Sequence, residues 1–384
     1  MRCPRCGNTD EKWFYKGSKG YYCRKCIRFK RVLLEEDEEE VTGEQYHNEP
    51  ENSLRFELSK RQKEISGEIL KTVNQGENVL VWAVCGAGKT ELVYETIKQY
   101  LLKGKKVCFA ISRRQVVIQL AERIRKDFPN LKVVAVCGGM TRDLFGDLVI
   151  CTTHQLYRYR KYFDLLILDE PDGFPFKGDE VLQGIALSSV KGPIIFLTAT
   201  PDKWIMSQAD IILTLNQRPS DRGVPVPKEI VLLSPLLFIC LFILLYKQKK
   251  KGRKTMVFFP EIKMMNLYGK LYKHIFKIEC LCSKTENKDE IIGIFMERKV
   301  DFLFCTTVME RGVTFPDIDV IVYRAEHMVF DKSSLIQISG RVSRDIRYPE
   351  GTVWFLAKEK GKEIKECITY SLNVNATASG AGKI

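Results

Sequence analysis

Val79-Leu80-Val81-Trp82-Ala83-Val84-Cys85-Gly86-Ala87-Gly88-Lys89-Thr90-Glu91-Leu92-Val93 is the stretch on which the reading of this chain turns. Its first six residues are apolar, of the composition and length of a buried strand. Cys85 to Thr90 follow with two glycines and a lysine–threonine pair, and 91–97 reads as a helix. A glycine loop between a strand and a helix is the context of a phosphate-binding loop. Glycine lets backbone N–H groups turn inward around a polyphosphate, and the helix N-terminus adds partial positive charge. In that arrangement Gly86, Ala87 and Gly88 line the phosphates, Lys89 reaches the β- and γ-phosphates, and the Thr90 hydroxyl ligates Mg²⁺. ATP and Mg²⁺ are the ligands this loop predicts.

Downstream, apolar runs at 107–111, 132–137, 148–152, 164–168 and 194–197 alternate with helical patterns at 115–128 and 181–190. Continuous apolar strands separated by helices predict an α/β fold, a parallel sheet covered on both faces. Ligands on such sheets bind at the carboxyl ends of strands. Asp169-Glu170 closes one of these strands: Asp169 is placed to hold Mg²⁺ and Glu170 to orient and deprotonate an attacking water. Thr198-Ala199-Thr200 ends the next. Gln62, ahead of the loop, offers an amide that can both donate to and accept from a base edge.

A second α/β half follows, with strands at 255–259, 300–305 and 318–323 and a helix at 262–272. Gln337, Arg341 and Arg344 fall on adjacent turns of a later helix, so two guanidinium groups can reach one small anion. They read as arginine fingers offered across a cleft, with Gln337 and Gly312 assigned to the nucleotide. Arg113, Arg114, Thr152, Thr153, Thr306 and Thr307 are candidate nucleic-acid contacts, since guanidinium and hydroxyl groups bind phosphates. His154 reads as a core or capping residue.

At the other end of the chain, Cys3-x2-Cys6 and Cys23-x2-Cys26, with sixteen residues between the pairs, have the spacing of two metal knuckles. Four thiolates predict a closed, structural Zn²⁺ site, without which so short a segment could hardly fold. Trp13, Phe14, Tyr15, Tyr21, Tyr22 and Phe29 lie among eight basic residues; they either fill a small core or form a stacking surface for bases.

The predicted order is therefore a cysteine module (1–34), an acidic mobile linker (35–53), a nucleotide-binding domain (54–222), a connection (223–254) and a second domain (255–384). The connection holds an apolar run at 231–246, read as a buried interdomain helix. It is shorter than the ~20 residues a membrane span needs, and its basic tail leaves peripheral lipid contact open. The tail from Asn373 reads as disordered. Lys and Arg number 61 against 48 Asp and Glu, a balance that favours a polyanionic partner. The start Met1-Arg2-Cys3 carries no signal pattern, and thirteen cysteines then predict free thiols in a reducing, cytoplasmic compartment.

Taken together, these motifs resemble a superfamily 2 helicase with two RecA-like lobes, over about 54–356. The cysteine module, Asp169-Glu170-Pro171-Asp172 and Glu310-Arg311-Gly312-Val313-Thr314-Phe315 narrow the likeness to the late-competence ATPases of bacterial DNA uptake. Pro171 departs from the family, which usually has an aliphatic residue there. The resemblance implies a cytoplasmic, membrane-associated motor that spends ATP on drawing single-stranded DNA inward. It also implies partners: the uptake channel protein, a phosphoribosyltransferase-like product of the same operon, and single-strand-binding proteins. Two alternatives share these motifs, a replication-restart or repair helicase and a zinc-dependent DNA-binding adapter with a nucleotide switch.

Overall fold

Val79–Ala83 is flanked by parallel strands on both sides and all but Trp82 is buried, so its apolar run is a central strand. The computed structural model describes residues 1–34, 57–218, 223–309, 315, 317–343 and 351–378. The acidic linker, Gly312 and Arg344 lie outside them. Contacts divide the chain into Met1–Ala83 with Gly88–Leu215 and Val84–Ala87 with Asn216–Ile384.

The first unit opens on a hairpin, β1 (Phe14–Gly17) and β2 (Gly20–Cys23). Helix α1 (Lys60–Asn74) precedes β3 (Val79–Ala83), and the glycine loop leads into α2 (Lys89–Leu92) and α3 (Tyr94–Leu102). The helix expected over 91–97 is thus broken at Val93. Then come β4 (Val107–Ile111), α4 (Arg114–Asp127), β5 (Val133–Val136), β6 (Leu148–Thr152) and β7 (Leu165–Asp169). Helix α5 (Glu180–Ser189), β8 (Ile194–Thr198), α6 (Lys203–Gln208) and β9 (Ile211–Leu215) complete it. The seven strands are all parallel, in the order β5-β6-β4-β7-β8-β3-β9. From β3 the chain crosses over β8 and β7 to reach β4. All carboxyl ends therefore share one edge, where a ligand site belongs.

The second unit holds β10 (Lys228–Val231), α7 (Ser234–Lys250), β11 (Lys254–Phe258), α8 (Ile262–Tyr272) and β12 (Ile278–Leu281). Helix α9 (Lys288–Met296), β13 (Phe302–Cys305), β14 (Ile318–Tyr323), α10 (Lys332–Ser339), β15 (Val353–Ala357) and α11 (Lys362–Ala378) follow. Its six strands are also parallel, in the order β10-β15-β14-β11-β13-β12.

Two expectations change here. Residues 228–250 are not a connection: β10 pairs with β15, and α7 buries Leu237, Leu241 and Leu245 in this unit's own core. The spacing of four between those leucines puts them on one helix face, which a purely apolar run conceals. Among the described residues no helix is long and apolar enough to cross a membrane. The tail from Asn373 is helical as far as Ala378. Asn375 holds it by accepting from Val224 N at 2.7 Å and donating to Val224 O at 3.0 Å, as a paired strand residue would.

Candidate functional site

The glycine loop has the conformation its residues were chosen for. Gly86 and Gly88 sit at φ +83° and +75°, where a Cβ would meet backbone oxygen. Gly88 caps α2, and its carbonyl accepts from Glu91 N at 3.1 Å, so Lys89 and Thr90 open the helix. Both side chains are partly exposed.

Asp169 ends β7, opposite Ile111 of β4 and Leu197 of β8. Its Oδ1 is closed off from solvent and has no hydrogen-bond partner among the described residues. Burial, then the charge of Glu170, pushes this carboxyl up to about 7, against the pull of Lys89. A bare, buried carboxylate oxygen within the field of a lysine is a fit for a hard cation, which would reverse that shift. Glu170 adopts φ +51°, a left-handed conformation uncommon outside glycine and found in strained catalytic turns. Its N–H donates to Leu197 O at 2.9 Å, which locks the turn to β8 just before Pro171.

Asp172, to which the sequence reading gave no role, lies in the turn after Asp169-Glu170. It is 2% exposed and accepts hydrogen bonds from Thr198 Oγ1 and, at 2.6 Å, from Thr200 Oγ1. The hydroxyls of Thr198-Ala199-Thr200 are thereby tied to the turn that carries Glu170. Trp82 Nε1 donates to Ala199 O at 3.0 Å, linking β3 to the same segment. The signal available was an acidic residue two beyond Glu170 facing a threonine pair.

Other predicted positions are more enclosed than their roles suggested. Gln62 is 4% exposed, and its Oε1 accepts from Ser59 N at 2.9 Å while Ser59 Oγ accepts from Gln62 N: a capping box on α1. Thr152 and Thr153 are buried, with the Thr153 hydroxyl lacking a partner among the described residues. Arg113 is half-buried at the start of α4, and exposed Arg114 donates to Gly138 O at 2.7 Å. In the second unit Thr306 is buried and Thr307 half-buried after β13. Gln337 and Arg341, four apart, are each 1% exposed, at α10 and the turn after it. Burial first, then the charge of nearby Arg28, holds His154 below the ordinary histidine range.

The four cysteines converge. All are buried and free, and their sulfurs lie within 4.8 Å of one another. Cys3 and Cys26 Sγ are 3.7 Å apart, and Cys6 and Cys23 Sγ 3.8 Å. A tetrahedral zinc with thiolates at ~2.3 Å has edges of about 3.8 Å, so the donor set fits that ion. The surrounding aromatics divide: Tyr22 and Phe29 are buried, whereas Trp13 and Tyr15 are 37% and 52% exposed.

The cluster does not stand alone. Cys3, Cys6, Cys23, Cys26, Phe29 and Val32 belong to the same core as Phe163, Phe176 and Leu182 of the first unit. Lys25–Glu180 at 2.6 Å and Arg28–Asp179 add ion pairs at its border. Glu180 and Arg28 are solvent-exposed, so screening leaves these pairs a small part in the attachment. Burying Phe29 and Val32 contributes about 1.5–3 kcal/mol apiece, so apolar burial decides the attachment.

Residues 55–203 match the family described as "Type III restriction enzyme, res subunit", and 236–345 the "Helicase conserved C-terminal domain". The chain is 34% identical over 387 residues to a protein of Streptococcus pneumoniae named competence protein ComFA, covering 95% of this chain and 88% of that one. It is 29% identical to the Bacillus subtilis protein of the same name, over 98% and 86% of the two. The structure of S. cerevisiae Dbp5 bound to RNA and ADP BeF3 matches with a TM-score of 0.61 at 17% identity, covering 85% of this chain and 88% of that one. That last likeness is one of fold.

Proposed function

The chain belongs to the ComFA family of competence proteins, ATP-dependent helicases by their domains, and from that premise we propose that it is an ATPase stimulated by single-stranded DNA, which it translocates for import. What carries the reading is Asp169, which ends β7 with a buried Oδ1 that has no partner among the described residues and lies within the field of Lys89. Gly86, Ala87 and Gly88 would cradle the phosphates, and Lys89 would offset γ-phosphate charge. Thr90 and Asp169 would hold Mg²⁺, which supplies charge neutralisation on the phosphoryl oxygens. Glu170 orients the attacking water and takes its proton. Arg341 and Arg344 are assigned to charge developing on the transferred group, and Gln62, Gly312 and Gln337 to the nucleotide.

Arg113, Arg114, Thr306 and Thr307 are assigned to the strand's phosphates, with weak sequence preference and strong salt dependence. Since Thr152 and Thr153 are buried, that turn would meet a strand through its backbone. The four cysteines would hold Zn²⁺. Family membership supports a cytoplasmic site of action with the uptake channel protein, a phosphoribosyltransferase-like partner and single-strand-binding proteins.

Phosphate release at fixed salt, with single-stranded DNA, duplex DNA, RNA and a fork, tests this. Clear stimulation by single strands is expected. Robust fork separation would move the assignment to a repair helicase. Negligible turnover, with or without DNA, would leave a nucleotide-switched adapter.

A further inference from the structure

We infer that the cysteine module is a fixed brace of the first unit, and that through Gly184 and Phe29 it positions both the Asp169–Asp172 turn and the Thr152–His154 turn. The inference rests on the proposed ATPase, whose DNA-facing and hydrolytic loops these turns would be.

One contact line runs along α5. Glu180 pairs with Lys25 at 2.6 Å, Gly184 lies under Cys6, and Ser188 Oγ donates to Arg5 O at 2.7 Å. Positions 180, 184 and 188 are spaced by four and share one helix face. A Cβ on residue 184 would lie 2.0 Å from Cys6 O. Glycine inside a helix is otherwise unfavourable, and this close approach accounts for it. Cys6 is also one of the four sulfur donors, so the cluster's position is referred directly to α5.

The second contact line crosses the 3₁₀ turn Thr153–Arg158. The Phe29 ring packs 5.5 Å from Tyr157 and 6.1 Å from His154. Arg5 lies over Tyr157 and donates to the carbonyls of Phe29 at 2.8 Å and Lys30 at 2.6 Å. The module is thus held against two elements, one following β6 and one following β7.

A chain of turns joins α5 to the carboxylates. Gly173 N donates to Glu170 O at 3.1 Å, Phe176 N to Gly173 O at 3.0 Å, and Asp179 N to Phe176 O at 3.2 Å. Phe176 is fully buried in the shared core, and Asp179 caps α5 through the N–H groups of Val181 and Leu182. Between Glu170 and α5 there is little slack. Displacing the helix displaces the catalytic turn.

Gly184→Leu in the full chain tests this, because leucine strengthens α5 itself while driving Cys6 away. The expected protein still binds zinc but yields it faster to a chromogenic chelator. Its basal kcat falls by about 10²-fold with the KM for ATP little changed, as for a reacting group displaced by ~1 Å. Wild-type kcat in that protein overturns the inference at any zinc release rate. So does a fall in kcat with zinc release unchanged, which would place the loss in α5 alone. Should Gly184→Leu not fold, Lys25→Glu is expected to shift both readouts about two- to fivefold, the worth of a surface ion pair. Adding Glu180→Lys should restore them; failure to restore overturns the inference. Wild-type turnover indifferent to single-stranded DNA would sink the proposed translocase, yet zinc release and basal kcat would still decide this question.

Discussion

The glycine loop and the cysteine module are suited to opposite charges. In the proposed reading the loop would turn backbone N–H groups and one lysine toward an anion, and the module would offer four side-chain sulfurs to a cation. The loop's shape needs positive φ at Gly86 and Gly88 and little else, so it is settled within a few residues of chain. The module needs its own four cysteines and also a glycine more than a hundred and fifty positions away, Gly184, to admit Cys6. The donors of both sites can be read along the chain; the packing of the second against Gly184 cannot.

Lys89→Ala puts the greatest strain on that contrast. Turnover should fall by about 10²-fold or more, the scale of losing one preorganised group at a developing charge. Phosphate release measures it, while zinc content and the thermal unfolding midpoint should stay at wild type. A lowered midpoint or lost zinc would show that the loop is not the self-contained element drawn here.

Asp172→Ala lies between the two kinds of site, since its partners come from the next strand. Thr198 Oγ1 is buried and would lose its acceptor, a cost of about 1–3 kcal/mol. Urea unfolding should show that loss, and DNA-stimulated turnover should drop more than basal turnover. Unchanged stability would mean that the hydroxyls find water or another acceptor.

The smallest effect is expected at Gln62, which caps α1 with its Oε1. Gln62→Glu keeps an acceptor for Ser59 N and removes the amide donors. Stability should stay within ~0.5 kcal/mol, while preference for ATP over GTP declines; Gln62→Ala should lose about 1 kcal/mol as well. Unaltered nucleotide preference in Gln62→Glu would reduce this residue to a helix cap.

Much of the architecture was open to inspection in one dimension. Runs such as Val107–Ile111 and Leu148–Thr152 announced buried parallel strands because a strand covered on both faces must be apolar throughout. The glycine loop, Asp169-Glu170 and the cysteine pairs were visible because each is a short pattern of neighbours in the chain. Three features were not. Apolar 231–246 gave no sign of which face of α7 would be covered, since every face was apolar. Asp172 was one acid among many until Thr198, at the end of β8, and Thr200 just beyond it closed on it. Gly184 looked like a blemish in α5 until a carbonyl from residue 6 filled the space a side chain would have taken. Local conformational preference is written residue by residue, whereas contacts between distant segments depend on how the packed units bring them together, and no spacing along the chain records that.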